Sequence, residues 1–149
     1  MSNQRNSLLS YALRLLNLRA RFTPEIESKL LKKAVELNIS DPENLINQII
    51  TDLTKDSFLN DDKLFSSFVA HQLEIKFKGP LYIKHQLLTK GLKPALINEK
   101  MRLFATSDKQ IQVLKAYLSR HLKSDNPQLK ARLFRRLLGR GFTSGLIST

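Results

Sequence analysis

The chain has 149 residues, no cysteine, and 25 Lys/Arg against 13 Asp/Glu, a formal net charge of +12. Without thiols neither a disulfide nor a thiolate metal site can form, and apolar runs of only a few residues are too short to span a bilayer. So large a positive surplus attracts polyanions, either nucleic acid or an acidic protein surface.

Taken in chain order, the signals are helical. The polar start Met1–Ser7 followed by Leu8–Leu9 is too short and interrupted for a secretory signal, so a cytoplasmic location is expected. From Ser7 to about Leu18, apolar residues Leu8, Leu9, Ala12, Leu15 and Leu16 form an i, i+4, i+7 stripe. Thr23-Pro24-Glu25 reads as a helix start with Thr23 as N-cap, and the helix runs to about Leu37. Asp41-Pro42-Glu43 repeats that start ahead of Leu45, Ile46, Ile49, Ile50 and Leu53. Asn60-Asp61-Asp62 opens a helix carrying Leu64, Phe65, Phe68, Val69 and Leu73. Lys78-Gly79-Pro80 starts another, which Lys90-Gly91 closes with a cation and a glycine cap. Lys93-Pro94 begins a helix to about Phe104, and Ser107-Asp108 one whose apolar face is Ile111, Leu114, Leu118 and Leu122. Asn126-Pro127 opens the last full helix, ending at Arg140-Gly141; the tail Phe142–Thr149 has room for a further turn or two.

An apolar signature recurs three times along this series. It reads Ile26, Leu30, Leu31, Ala34, then Ile83, Leu87, Leu88, Gly91, then Leu133, Leu137, Leu138, Gly141, always at offsets 0, 4, 5 and 8. Such recurrence predicts an array of like helical units, each burying its stripe against a neighbour. The expected fold is all-α: three tandem three-helix repeats at 1–59, 60–106 and 107–149, the last truncated, in an elongated and curved array. Charge is uneven along it. Residues 1–35 carry seven Lys/Arg against two acids, residues 36–62 one against seven, and residues 108–149 nine against two.

Candidate interaction residues follow from that charge. On the helix from Asn126, Arg132, Arg135, Arg136 and Arg140 fall opposite Leu129, Leu133, Phe134, Leu137 and Leu138, with Lys130 nearby. A guanidinium face suits phosphates and carboxylates alike. Arg14, Arg19 and Arg21 form a smaller cluster near the end of the first helix, where a cation also complements the helix dipole. Lys76, Lys78, Lys84, Lys90 and Lys93 supply point charges through the middle. Asp61 and Asp62 precede an apolar helix and read as caps rather than as catalytic carboxylates. His71, His85 and His121 are isolated, and no phosphate-loop glycine pattern is present, so neither metal nor cofactor is expected. Phe58, Phe65, Phe68, Phe104 and Phe134 lie on apolar stripes and are expected in the core.

Three stretches resemble the RecX family of recombination regulators. Leu13–Leu30 is similar to its opening motif. Phe58–Leu92, with its aromatic, acidic pair, helix, Lys/Gly, helix and final Lys-Gly, is similar to its central signature. Lys130–Phe142 is similar to its closing helix with a terminal Arg-Gly-aromatic. The resemblance covers most of residues 11–147. It departs at His71-Gln72-Leu73, where the family commonly has an Arg. It implies three tandem three-helix repeats and a non-enzymatic regulator, one that lodges in the groove of a RecA-type recombinase filament on DNA and restrains it. The partners so implied are that filament and, without sequence preference, single- or double-stranded DNA; no membrane is involved and a monomer is expected. The alternative is a basic DNA-binding protein acting without a recombinase.

Overall fold

The computed structural model describes residues 2–148, and among them every regular element is helical. The elements are α1 (Ser2–Leu18), α2 (Thr23–Glu36), α3 (Pro42–Lys55), α4 (Asp61–Ala70), α5 (Pro80–Thr89), α6 (Pro94–Phe104), α7 (Ser107–His121), α8 (Pro127–Gly139) and α9 (Ser144–Ile147). A π-helical turn, His71–Ile75, carries α4 onward. Contacts divide the chain into two units, 1–65 and 66–149.

In the first unit, Leu8 and Ala12 of α1, Ile26, Leu30 and Ala34 of α2, and Ile46, Ile49 and Leu53 of α3 form one buried cluster, with Ile39 and Leu59 from the connections. Each such aliphatic side chain is worth about 1.5–3 kcal/mol when fully buried. α1 begins at Ser2, five residues before the expected start at Ser7, and an Arg5–Asp52 ion pair ties that extension to α3.

The start of α2 differs from expectation. Thr23 is already helical and Phe22 is the N-cap; the Phe22 amide donates to the Glu25 carboxylate at 2.9 Å. Asp61 completes the cap from a distance in sequence, accepting from the Thr23 amide at 2.8 Å and the Thr23 hydroxyl at 3.1 Å. Its own helix is capped by Asn60, whose side-chain oxygen accepts from the Lys63 amide at 3.1 Å. Asp61 is thus a cap, but of another helix. Asp41 also departs from its expected role, standing in the left-handed region (φ 52°) without a side-chain capping bond.

The second unit buries Val69 and Leu73, Ile83 and Leu87, Ile97 and Met101, then Leu133 and Leu137. On α7 the buried residues are Gln110, Val113, Leu114 and Tyr117. Ile111, Leu118 and Leu122 sit at the edge of that face, half-buried. Gln110 is tolerated inside because its amide donates to the Ala105 carbonyl at 2.8 Å. A Glu74–Lys109 ion pair links the π turn to α7.

The threefold signature is buried only in part, and helix geometry explains which part. Offsets 0, 4 and 8 lie within about 80° of one another at 100° per residue, while offset 5 lies about 140° from the first. Ile26, Leu30, Ala34, Ile83, Leu87, Leu133 and Leu137 are buried. The offset-5 leucines stand outside the core in every copy: Leu31 is 46%, Leu88 45% and Leu138 40% exposed. Phe65 is buried as expected, whereas Phe58 and Phe104 are exposed and Phe68 and Phe134 half-buried.

Candidate interaction surface on the eighth helix

α8 is set by its ends. Asn126 caps it, its side-chain oxygen accepting from the Gln128 amide at 2.8 Å, and Pro127 supplies a first residue that needs no hydrogen-bond acceptor. Leu133 and Leu137 then turn inward, which leaves Lys130, Arg132, Arg135 and Arg136 exposed.

The fourth arginine of the face behaves differently. Arg140 donates through Nε to the Phe77 carbonyl at 2.8 Å, and through its terminal nitrogen to the Lys76 carbonyl. Around it the backbones interlock: the Gly79 amide donates to the Arg140 carbonyl at 2.7 Å, and the Leu81 amide to the Gly141 carbonyl at 3.1 Å. Two glycines permit this approach. A Cβ on Gly79 would lie 2.2 Å from the Gly141 carbonyl carbon, and one on Gly141 (φ 101°) 2.6 Å from the Tyr82 nitrogen. Arg140 is therefore a latch between the end of α8 and the connector before α5.

The connector also gathers aromatic rings and cations. Phe77, at φ 54°, meets Tyr117 edge-on at 5.5 Å, and Tyr117 lies 4.2 Å from the His121 ring. Arg120 sits 5.3 Å from the Phe77 ring centre, Arg140 5.9 Å from that of Tyr117, and Arg136 reaches the Tyr117 hydroxyl at 3.4 Å. Among the described residues, no carboxylate pairs with Arg120, Arg132, Arg135, Arg136 or Arg140. Arg120, Arg136 and Arg140 rest against these rings, while Arg132 and Arg135 are exposed on α8. Arg120 was not singled out by sequence; it reads there only as a cation in the last turn of α7. Lys130 is partly compensated by Asp125 at 3.5 Å, in an exposed pair of little energetic weight.

The other candidates are positioned by other elements. Lys84 and Lys90 belong to α5 and its cap, Lys90 lying 5.5 Å from the Phe68 ring, and Lys93 is the exposed N-cap of α6. Lys78 lies over Tyr82 at 4.5 Å. Arg19 and Arg21 belong to the first unit: Arg19 pairs with Glu25 at 3.4 Å, and Arg21 donates to the Leu15 carbonyl at 3.3 Å. Among the described residues no group of three or more His, Asp or Glu is placed to hold a metal, and no helix is long and apolar enough to cross a membrane.

No family model matches the chain. Curated proteins do. The regulatory protein RecX of Lactococcus lactis subsp. cremoris (strain SK11) is 29% identical over 144 residues, covering 93% of this chain and 52% of that protein. The regulatory protein RecX of Halalkalibacterium halodurans is 30% identical over 140 residues, covering 91% and 50%. The chain spans about half the length of the curated relatives it matches. Its fold is shared with the crystal structure of RecX from Lactobacillus salivarius, at a TM-score of 0.75 and 24% identity over 99% of this chain and 94% of that one. A second crystal structure, of a regulatory protein RecX, aligns at a TM-score of 0.68 and 22% identity over 99% and 71%. With the Phe58–Leu92 and Lys130–Phe142 motifs carried on the helices described above, the chain is similar in sequence, over 91–93% of its length, to regulatory proteins named RecX, and it shares the fold of RecX crystal structures.

Proposed function

We propose that this protein binds RecA-type recombinase filaments on DNA and restrains their activity in recombination and repair, as a cytoplasmic monomer without catalytic chemistry of its own. The observation that carries this reading is the α8 face, where Arg132, Arg135 and Arg136 stand exposed without a carboxylate partner among the described residues. Similarity to regulatory proteins named RecX supports the choice of partner. In this reading the three sequence repeats (1–59, 60–106, 107–149) serve as successive contact modules along a polymer. A groove-bound array of that kind would bias filament conformation or block entry of a second duplex.

The test is recombinase-driven strand exchange titrated with this protein, with naked-DNA binding measured alongside. Inhibition is expected at protein levels too low to coat the DNA, and reversal of Arg132, Arg135 and Arg136 to Glu is expected to abolish it. Arg140 is left intact, because it holds the α5 connector. Undiminished inhibition by the folded triple variant removes α8 from the mechanism. The +12 net charge favours a second reading, nonspecific DNA binding without a recombinase. That reading predicts inhibition only at DNA saturation, with affinity falling steeply as salt rises.

A further inference from the structure

Four helices end on the same pattern: a residue in the left-handed region, its amide bonded three residues back and the next amide five residues back. In α2 these are Asn38 and Ile39, in α3 Ser57 and Phe58, in α5 Gly91 and Leu92, in α8 Gly141 and Phe142. The residue after the left-handed one ordinarily packs onto the helix it ends. Ile39, Leu92 and Phe142 do so, at 8%, 5% and 1% exposure, whereas Phe58 is 55% exposed. Its backbone is nonetheless fixed, the amide donating to the Leu53 carbonyl at 2.9 Å. The chain thus anchors the backbone of an aromatic residue whose ring is more than half exposed.

Phe58 and Ser57 form one wall of a groove of about 750 Å³ whose other wall is α1, including Leu13, Arg14 and Asn17. Ser10 and Arg14 also line an adjoining groove of about 490 Å³ that runs toward Asn3, Ser7 and Lys33. Along α1, Asn3, Ser7, Ser10, Arg14 and Asn17 recur at helical spacing and all are exposed. Residues 1–24 contain no acid. Arg14 and Lys33 both approach the Tyr11 ring, at 5.7 and 5.4 Å; Lys33 also meets Glu36 at 3.5 Å, and among the described residues Arg14 meets no carboxylate.

We infer that this α1–Phe58 groove binds single-stranded nucleic acid, with phosphates along the Asn/Ser/Arg stripe and a base stacked on Phe58. Phosphate oxygens accept from amides, hydroxyls and guanidinium groups without regard to sequence. An exposed ring face takes any unpaired base, and the pairing of cationic track with aromatic platform is the general solution for single strands. A duplex hides its base faces, and an apolar peptide anchor needs an enclosed pocket rather than a ring held out in solvent. The inference stands on the first unit alone and does not require the recombinase reading.

The test is fluorescence anisotropy of the full chain with a labelled oligothymidylate and with a duplex, over a range of salt. Phe58→Ala is expected to weaken single-strand binding at least about fivefold with an unchanged salt slope, and Phe58→Tyr to restore it. Arg14→Gln is expected to lower the slope by about 0.7, one phosphate contact. Duplex binding should not respond to Phe58→Ala. Single-strand affinity unchanged in both Phe58→Ala and Arg14→Gln overturns the inference, as does failure of the wild-type chain to bind the oligonucleotide. Normal oligonucleotide binding with loss of filament binding in these variants also overturns it and gives the groove to a protein partner. Arg132/Arg135/Arg136 variants separate the two proposals, since they are expected to lose inhibition while keeping the Phe58-dependent binding.

Discussion

α3 and α8 stop on one hydrogen-bond pattern and spend it differently. At the end of α8 the left-handed residue is Gly141 and the residue after it is a buried Phe142; backbone, guanidinium and ring all converge on the connector before α5. At the end of α3 the left-handed residue is Ser57, and Phe58 points its ring to solvent beside Arg14 and Asn17. One ending closes a core and the other furnishes a groove. A local backbone motif settles where the chain turns; the environment of the residue that follows settles whether the turn serves stability or recognition.

The sharpest way to break the comparison is Gly79→Ala. A methyl group there meets the Gly141 carbonyl carbon at 2.2 Å and the Phe142 nitrogen at 2.3 Å, backbone atoms with no side-chain freedom to yield. A destabilisation of more than about 3 kcal/mol is expected, read as a lowered urea midpoint, because backbone displacement adds to overpacking. An unchanged midpoint would mean that the α8 ending does not close on the connector. Next in size is the aromatic pair itself. Phe142→Ala should cost about 3–5 kcal/mol as a buried truncation, and Phe58→Ala less than about 1 kcal/mol as an exposed one. Equal costs in thermal unfolding would show that the two endings are built alike.

Much of the fold is legible in the sequence because punctuation and periodicity agree. Proline at the start of α3, α5, α6 and α8, and glycine after α5 and α8, sit where helix ends need them. What escapes is whatever depends on contacts remote in sequence. Asp61 reads as the cap of its own helix but serves Thr23, 38 residues earlier. Arg140 falls on the polar side of α8, yet carbonyls at 76 and 77 draw it inward. The offset-5 leucines look like core by composition, and the helix angle alone puts them at its margin. The exposed arginines of α8 were visible on the wheel; Arg120 and the Phe77–Tyr117 rings joined them only through folding. Phe58 reads as core because it lies on an apolar stripe, and the surroundings of the α3 ending leave it exposed instead.

The smallest expected effect concerns Ser57. At φ 65° it occupies a region that costs a residue with a Cβ about 1–2 kcal/mol. Glycine removes that cost but adds about 0.5–1 kcal/mol of unfolded-state entropy. Ser57→Gly should therefore stabilise the protein by no more than about 1.5 kcal/mol in equilibrium urea unfolding. The reciprocal change, Gly141→Ser, has the opposite sign, since there a Cβ meets both the positive φ and the Tyr82 nitrogen at 2.6 Å. Opposite signs at equivalent positions are what an open ending and a closed one require. A loss of stability in Ser57→Gly would mean that the serine side chain contributes more to the groove wall than its backbone conformation costs.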